Sequence, residues 1–394
     1  MQIASENSPS RNSPRGLSAK RFDMKVIMKI IHCSDLHLDA DLRTKFDAAR
    51  AAERRAELLG TFRRLCFYAK EQSAAAVLIC GDLFDTDSPS PSAVRTVEDL
   101  ILSCPDLLFF YLRGNHDGRP VLFRSRPRPD NLFLFEQSWS SWELSSGSSG
   151  ERRVCITGRE PGPEPFTSPD LDPACLNIVM LHGQVRDGYS APDPEALPMS
   201  ALRGRGIDYL ALGHLHHYRS FALDERGTAA YCGTLEGRGF DECGSCGFIL
   251  LETDEHGRGL KSHFVPFASR NLYRIDCPVT GCTSDTEIYE RMARVLEASP
   301  ASQADLVRLE VTGELDYGCS PDPAFVQREW EDRYHYFEYK SSAEPVVHTE
   351  DFLCDASLKG EFVRVVSADE ALNARGRAEV LRCGLRALSG ESLF

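Results

Sequence analysis

No stretch of this sequence approaches the ~18–20 consecutive apolar residues that a membrane-spanning helix needs, so a helical membrane protein is excluded. Cysteine is sparse. Its 14 residues are scattered and mostly sit in apolar runs, as Cys33, Cys66 and Cys80 do. That is well below the ~8–10% of a disulfide scaffold and reads as reduced, buried thiols in a cytoplasmic protein. Basic residues are outnumbered: 45 Lys and Arg against 59 Asp and Glu give a net charge of −14. The imbalance is 31 to 36 before residue 270 and 14 to 23 from residue 270 onward. A freestanding nucleic-acid binder carries a basic footprint, so DNA binding driven by the charge of the whole chain is disfavoured. A local basic patch or bound divalent cations are not excluded. There is no internal repeat, and no low-complexity tract beyond the N-terminus.

What remains is ordinary globular composition, 42% apolar and 26% charged over 394 residues, enough for two or three domains. Residues 1–27 are rich in Ser, Asn, Arg and Pro and carry neither a secretory apolar core nor a transit-peptide composition. They read as a disordered extension, or translation begins at Met28, where the first clean strand starts. From 28 to 269, the runs KIIHCS, AAVLICG, LLFFYLRG, NIVMLHG and DYLALGH lack period-2 alternation, which is the pattern of strands buried on both faces. Helical patterns separate them over 48–71 and 92–103, so this is an α/β layered domain. GSSGERR (147–153) reads as a hairpin loop and 161–173 as a surface loop. Residues 270–342 read as a small α+β unit and 343–394 as a helical tail. In the tail, Ser367-x-x-Glu370 is a capping-box pattern for a helix running toward Leu388. Val380, Leu381, Leu385 and Leu388 share one face of that helix, and Gly384 in their midst predicts close approach of something, a partner or the chain's own domains.

Every buried strand of the first domain is followed at once by polar, metal-capable residues: Asp35-x-His37, Gly81-Asp82-x-x-Asp85, Gly114-Asn115-His116-Asp117, His182-Gly183 and Gly213-His214-x-His216. Ligands of open α/β sheets bind at the carboxyl ends of strands, so five separate segments deliver carboxylate, amide and imidazole to one sheet edge. Oxygen and imidazole donors without thiolate suit Mn²⁺, Fe²⁺ or Zn²⁺. Seven donors are too many for one ion. Two ions ~3.5–4 Å apart sharing a carboxylate would use them and retain positive charge for a bridging hydroxide and a phosphodiester.

In that order, D-x-H, G-D-x-x-D, G-N-H-D, a lone His-Gly and G-H-x-H resemble the calcineurin-like metallophosphoesterase superfamily, over about residues 28–240. The resemblance implies a layered β-sheet sandwich core flanked by helices. It implies Asp35, His37, Asp82 and His216 on one metal and Asp82, Asn115, His182 and His214 on the other, with Asp82 bridging. His116 is then the general acid or charge stabiliser at the leaving oxygen, and Asp85 and Asp117 orient ligands. IIHCSDLHLDA, GTLEGRGFDE (233–242), a small α+β capping domain and a helical partner-binding tail are similar to SbcD-type DNA repair exonucleases, the YhaO-like branch above all. That likeness implies a Mn²⁺-type exo/endonuclease subunit acting on DNA ends with an SMC-like ATPase of the SbcC type. A homodimer is left open.

Other readings stand beside these. His32 lies within a strand and His217 just past its motif, and both are taken as non-ligands. Cys243-x-x-Cys246 has no second pair and reads as free thiols. Arg113, Arg119, Arg124, Arg126 and Arg128 are either a solvated basic loop or phosphate contacts. The same metal centre would serve a phosphodiesterase acting on nucleotides or other small phosphodiesters. A non-catalytic scaffold of this fold is a third reading, and GNHD in place of GNHE disfavours a protein phosphatase.

Overall fold

The apolar runs form strands buried along almost their whole length, and the reason they lack alternation is that both faces of each sheet are covered. The computed structural model describes residues 15–16, 27–144, 153–163, 165–187, 195–254 and 259–390. The chain divides into two compact units, Met1–Ser269 and Arg270–Phe394, each described here by itself.

The first unit is a sandwich of two sheets. One has six strands in the order Leu260–Pro266, Gly247–Thr253, Lys29–Cys33, Ala76–Cys80, Leu108–Leu112 and Leu132–Leu134, the last four parallel to one another. The other has seven: Arg15–Gly16, Ser140–Leu144, Val154–Gly158, Leu176–His182, Tyr209–Gly213, Thr228–Tyr231 and Arg219–Ala222. Ile30, Leu78 and Phe110 of the first sheet meet Ile156, Ile178, Met180 and Tyr209 of the second in one core. Ile31, Val77 and Ile79 point to the opposite face and are equally buried. That face carries the crossover helices α1 (Ala48–Glu71) and α2 (Pro91–Leu102), as parallel strands require. Asp47 and Ser90 cap the two helices from their side chains. The outer face of the second sheet is closed by Leu197, Met199, Leu202 and Ile207. Ser140–Leu144 and Val154–Gly158 pair antiparallel as a hairpin, but the loop expected there, 147–153, lies outside the described residues up to 152. Of the expected extension 1–27, only Arg15–Gly16 and Ile27 are described; Arg15–Gly16 pairs with Trp142 and Glu143.

In the second unit, Leu272–Pro278, Leu306–Thr312 and Tyr336–Ser341 form a parallel sheet in that order. Helices α3 (Asp285–Glu297) and α4 (Pro323–Trp330) connect the strands over a core of Ile288, Met292, Val307, Leu309 and Trp330. Helices α5 (Leu358–Ser367) and α6 (Ala374–Leu388) close the unit, with Val363 and Val366 packed on Leu381 and Leu385.

The capping box is a correction. Ser367 is the last residue of α5 and caps nothing; α6 is capped by Asn373, whose side chain accepts from the Gly376 amide at 2.8 Å. The segment LKGEFVRVV is itself amphipathic and starts at its own cap, Ser357, so Ser367 is already used as helix. Gly384 is explained within the chain: a Cβ there would collide with the Phe362 ring of α5. Leu381 and Leu385 are buried in the same contact, while Val380 and Leu388 remain 38% exposed.

Candidate metal centre

The strand-end residues reach one place because the turns that carry them are stitched together. The amide of Asp35 donates to the Gly81 carbonyl at 3.0 Å and that of His37 to the Asp82 carbonyl at 2.9 Å. Asp35, His37, Asp82 and His214 all have positive φ, an uncommon conformation for residues with side chains. Such outliers persist only where the surroundings enforce them, and they cluster at functional sites. Glycine precedes the key residues for steric reasons. A Cβ on Gly81 would run into the His182 ring, and one on Gly114 into the Asp82 carboxylate.

The imidazoles are aimed by what stands behind them. His182 Nδ1 lies 2.9 Å from the Cys80 carbonyl, which can only accept, so Nδ1 carries the proton and Nε2 presents a lone pair. His37 Nδ1 lies 2.9 Å from Asp85, and His216 Nδ1 lies 2.8 Å from Glu242 and 3.2 Å from Arg238. The Nε2 atoms of His37 and His216 face each other at 3.3 Å. His182 Nε2 faces the Asn115 Oδ1 at 2.9 Å. One oxygen of Asp82 lies 3.7 Å from His37 Nε2 and 3.5 Å from His182 Nε2, between the two sets. Opposed lone pairs repel unless a cation sits among them, and donors about 2.1 Å from one cation at right angles are about 3 Å apart. The donor set thus fits divalent metal. Asp35, His37 and His216 group within 4.8 Å of one another, as do Asp35, Asp82 and His182.

The remaining expected residues surround these. His214 donates its amide to both Asp35 oxygens at 3.0 and 3.1 Å, and its ring lies edge-on to His182 with centroids 5.4 Å apart. Asp117 sits behind the site, accepting from the amides of Leu83 and Phe84 at 2.9 Å each and of Gly114 at 3.3 Å. His116 is exposed; its amide donates to Asp82 at 3.0 Å and its Nδ1 to the Asp85 carbonyl at 3.1 Å. His32 is buried outside the site, 3.0 Å from the Tyr209 hydroxyl, and burial pushes its pKa down to about 3. His217 is exposed. Cys243 and Cys246 are free thiols; Cys243 bonds to the Phe240 carbonyl and Cys246 accepts from Thr234.

Burial, followed by the charge of Asp82, pushes the Asp35 carboxyl well above the usual range. The same two causes raise Asp117 to about 6. Burial lowers His37 and His182, so both rings are neutral and able to donate lone pairs.

The basic loop divides. Arg113 is committed to Glu160 at 2.6 Å and Arg126 to Asp99 at 2.6 Å. Arg124 and Arg128 are exposed with no carboxylate partner among the described residues, and Arg119 is 4.0 Å from Asp87. Sequence reasoning passed over Arg238 and Glu242. Arg238 lies 2.7 Å from Asp85 and 2.6 Å from Glu242. The signal available was an Arg-x-x-x-Glu spacing, which ordinarily marks a surface ion pair.

Residues 28–218 match the calcineurin-like phosphoesterase family. A relative named DNA double-strand break repair protein Mre11, from Methanosarcina acetivorans, is 24% identical over 309 residues, covering 73% of this chain and 46% of that protein. The chain thus spans about half the length of this relative. Among solved structures, a dimetal phosphatase from Danio rerio aligns over 60% of this chain and 98% of its own, at 11% identity and a TM-score of 0.32.

Proposed function

From the match of residues 28–218 to the calcineurin-like phosphoesterase family, we propose that this protein is a two-metal phosphodiesterase whose substrate is the DNA end. In this reading it is an SbcD-type nuclease subunit that works with an SMC-like ATPase of the SbcC type. Asp35, His37, Asp82 and His216 hold one ion, and Asp82, Asn115, His182 and His214 the other, with Mn²⁺ the native metal. The observation that carries the reading is the convergence of the Nε2 atoms of His37, His216 and His182 on the two sides of the Asp82 carboxylate.

Bound metal supplies Lewis-acid activation of water and neutralises charge on the attacked phosphate. The rest falls to the chain. Asp82 faces both ligand sets and also accepts the His116 amide, so the bridging carboxylate fixes the backbone of the residue that meets the leaving group. His116 Nδ1 donates a hydrogen bond to the Asp85 carbonyl, so it is Nε2 that would take up a second proton before turnover and pass it to the departing oxygen, returning the ring to its neutral form. Arg124 and Arg128, exposed and without a carboxylate partner among the described residues, and Arg119, 4.0 Å from Asp87, follow the Asn115-His116-Asp117 motif in the chain and take backbone phosphates. The naming of the Mre11 relative for double-strand break repair supports DNA as substrate.

The test is hydrolysis by the Mn²⁺-loaded protein of a blunt DNA duplex, a DNA hairpin, a cyclic nucleotide and a chromogenic diester. Cleavage of duplex or hairpin ends well above the small substrates is expected. Turnover of the cyclic nucleotide alone would replace DNA with a small phosphodiester, and no turnover of any of the four would leave a scaffold.

A further inference from the structure

The loop 233–242 connects the strands Thr228–Tyr231 and Gly247–Thr253 and carries a buried charge network that no metal-ligand motif includes. Arg238 reaches Asp85 with one terminal nitrogen at 2.7 Å, and Glu242 with the other at 2.6 Å. Its second terminal nitrogen also lies 3.2 Å from His216 Nδ1. Glu242 is 1% exposed, and one of its oxygens accepts the Arg238 amide at 2.7 Å. Asp85 stands behind His37 and Glu242 behind His216, and the two rings face each other. His37, Asp85, Arg238, Glu242 and His216 therefore form a closed circuit around one half of the metal centre.

The loop is anchored at a second point. Glu236, 2% exposed, accepts from Thr61 of α1 at 2.7 Å and from the Ser269 amide at 2.6 Å, while Arg54 donates to the Gly237 carbonyl at 2.6 Å. Arg238 thus starts from a fixed backbone. A guanidinium is a rigid planar fork that can hold two carboxylates at a set angle, whereas an ammonium is a point charge.

We propose that Arg238, with Glu242, is a positioning residue that locks His37 and His216 into one unit, so that the metal site they share is set by a single fork. The site containing His182 and Asn115 has its own backing, the Cys80 carbonyl, and does not depend on it. The inference rests on the two-metal reading above.

The test is Mn²⁺ binding by full-length wild type, Arg238→Lys and Glu242→Gln, with stoichiometry and affinity from titration and Mn²⁺–Mn²⁺ coupling from electron paramagnetic resonance. Wild type should bind a coupled pair; fewer than two ions on wild type would defeat the two-metal reading itself. Each variant should retain one Mn²⁺ near wild-type affinity and bind the second 10- to 100-fold more weakly, the usual cost of losing an outer partner of a ligand. At two equivalents of Mn²⁺ the coupled signal should give way to that of an isolated ion. A purely structural role would weaken both sites together. Either equal loss at both sites or wild-type binding in both variants overturns the proposal. Lysine keeps the charge and glutamine the volume, so the fold is not at stake in either.

Discussion

At the scale of the residue, the centre separates groups that aim lone pairs from one that handles a proton. His116→Gln should leave Mn²⁺ content and DNA affinity near wild type while turnover falls roughly 10²–10⁴-fold. Loss of metal in that variant would make His116 a ligand. Asp117 offers a pH test in metal-free protein. Its folded pKa, pushed up to about 6 by burial and then by Asp82, lies above the unfolded value. Its stabilising contribution is therefore full below about pH 4 and is lost as pH rises through about 6, a swing on the order of 3 kcal/mol. Asn is neutral at every pH, so Asp117→Asn should melt progressively closer to wild type, or above it, between pH 4 and 7. Parallel melting curves for the two across that range would contradict the assignment. The motif residues are legible in the sequence because they follow strands directly, where the fold delivers side chains to one edge. Arg238 and Glu242 are not, because they act through other side chains. Their partners, Asp85, His37 and His216, lie up to about 200 positions away, so the segment 233–242 stands out as a motif while the contacts that give it a role do not.

At the scale of the element, apolar runs and caps give most helices and strands within a residue or two, and the misses have local causes. Ser367-x-x-Glu370 satisfies a capping pattern, but the amphipathic segment before it claims Ser367 first. Gly384 shows tertiary packing overriding propensity. Alanine would favour α6 by about 1 kcal/mol if the helix stood alone. Its Cβ would enter the Phe362 ring, and overpacking costs about 1–3 kcal/mol. Gly384→Ala should therefore lower the melting temperature, and adding Phe362→Ala should recover part of the loss relative to Phe362→Ala alone, measured as a double-mutant cycle. An additive cycle would mean that the two residues do not meet.

At the scale of the whole molecule, a net charge of −14 leaves few places for DNA phosphates. Arg113 and Arg126 are committed to carboxylates, whereas Arg124 and Arg128 are exposed without a carboxylate partner among the described residues and Arg119 lies 4.0 Å from Asp87. Each neutralised phosphate contributes about −0.9 to the slope of log affinity against log salt, so if those three arginines are its phosphate contacts the metal-loaded protein on its own should show a slope no steeper than about −3. A much steeper slope would require a basic surface elsewhere. The sandwich itself is legible because doubly buried strands suppress alternation, whereas the pairing order of thirteen strands depends on long-range contacts that no window of sequence contains. The glycines next to the site extend that contrast. His182 has the barest motif of the set, one histidine before one glycine. Yet a methyl group on Gly81, Gly114 or Gly213 would strike its ring, although these three positions are spread over more than 130 residues of chain. The residue with the least spelling of its own is written in the negative, as an omitted methyl in three other motifs, and a scan that takes those glycines for metal grammar is in part reading the outline of one imidazole.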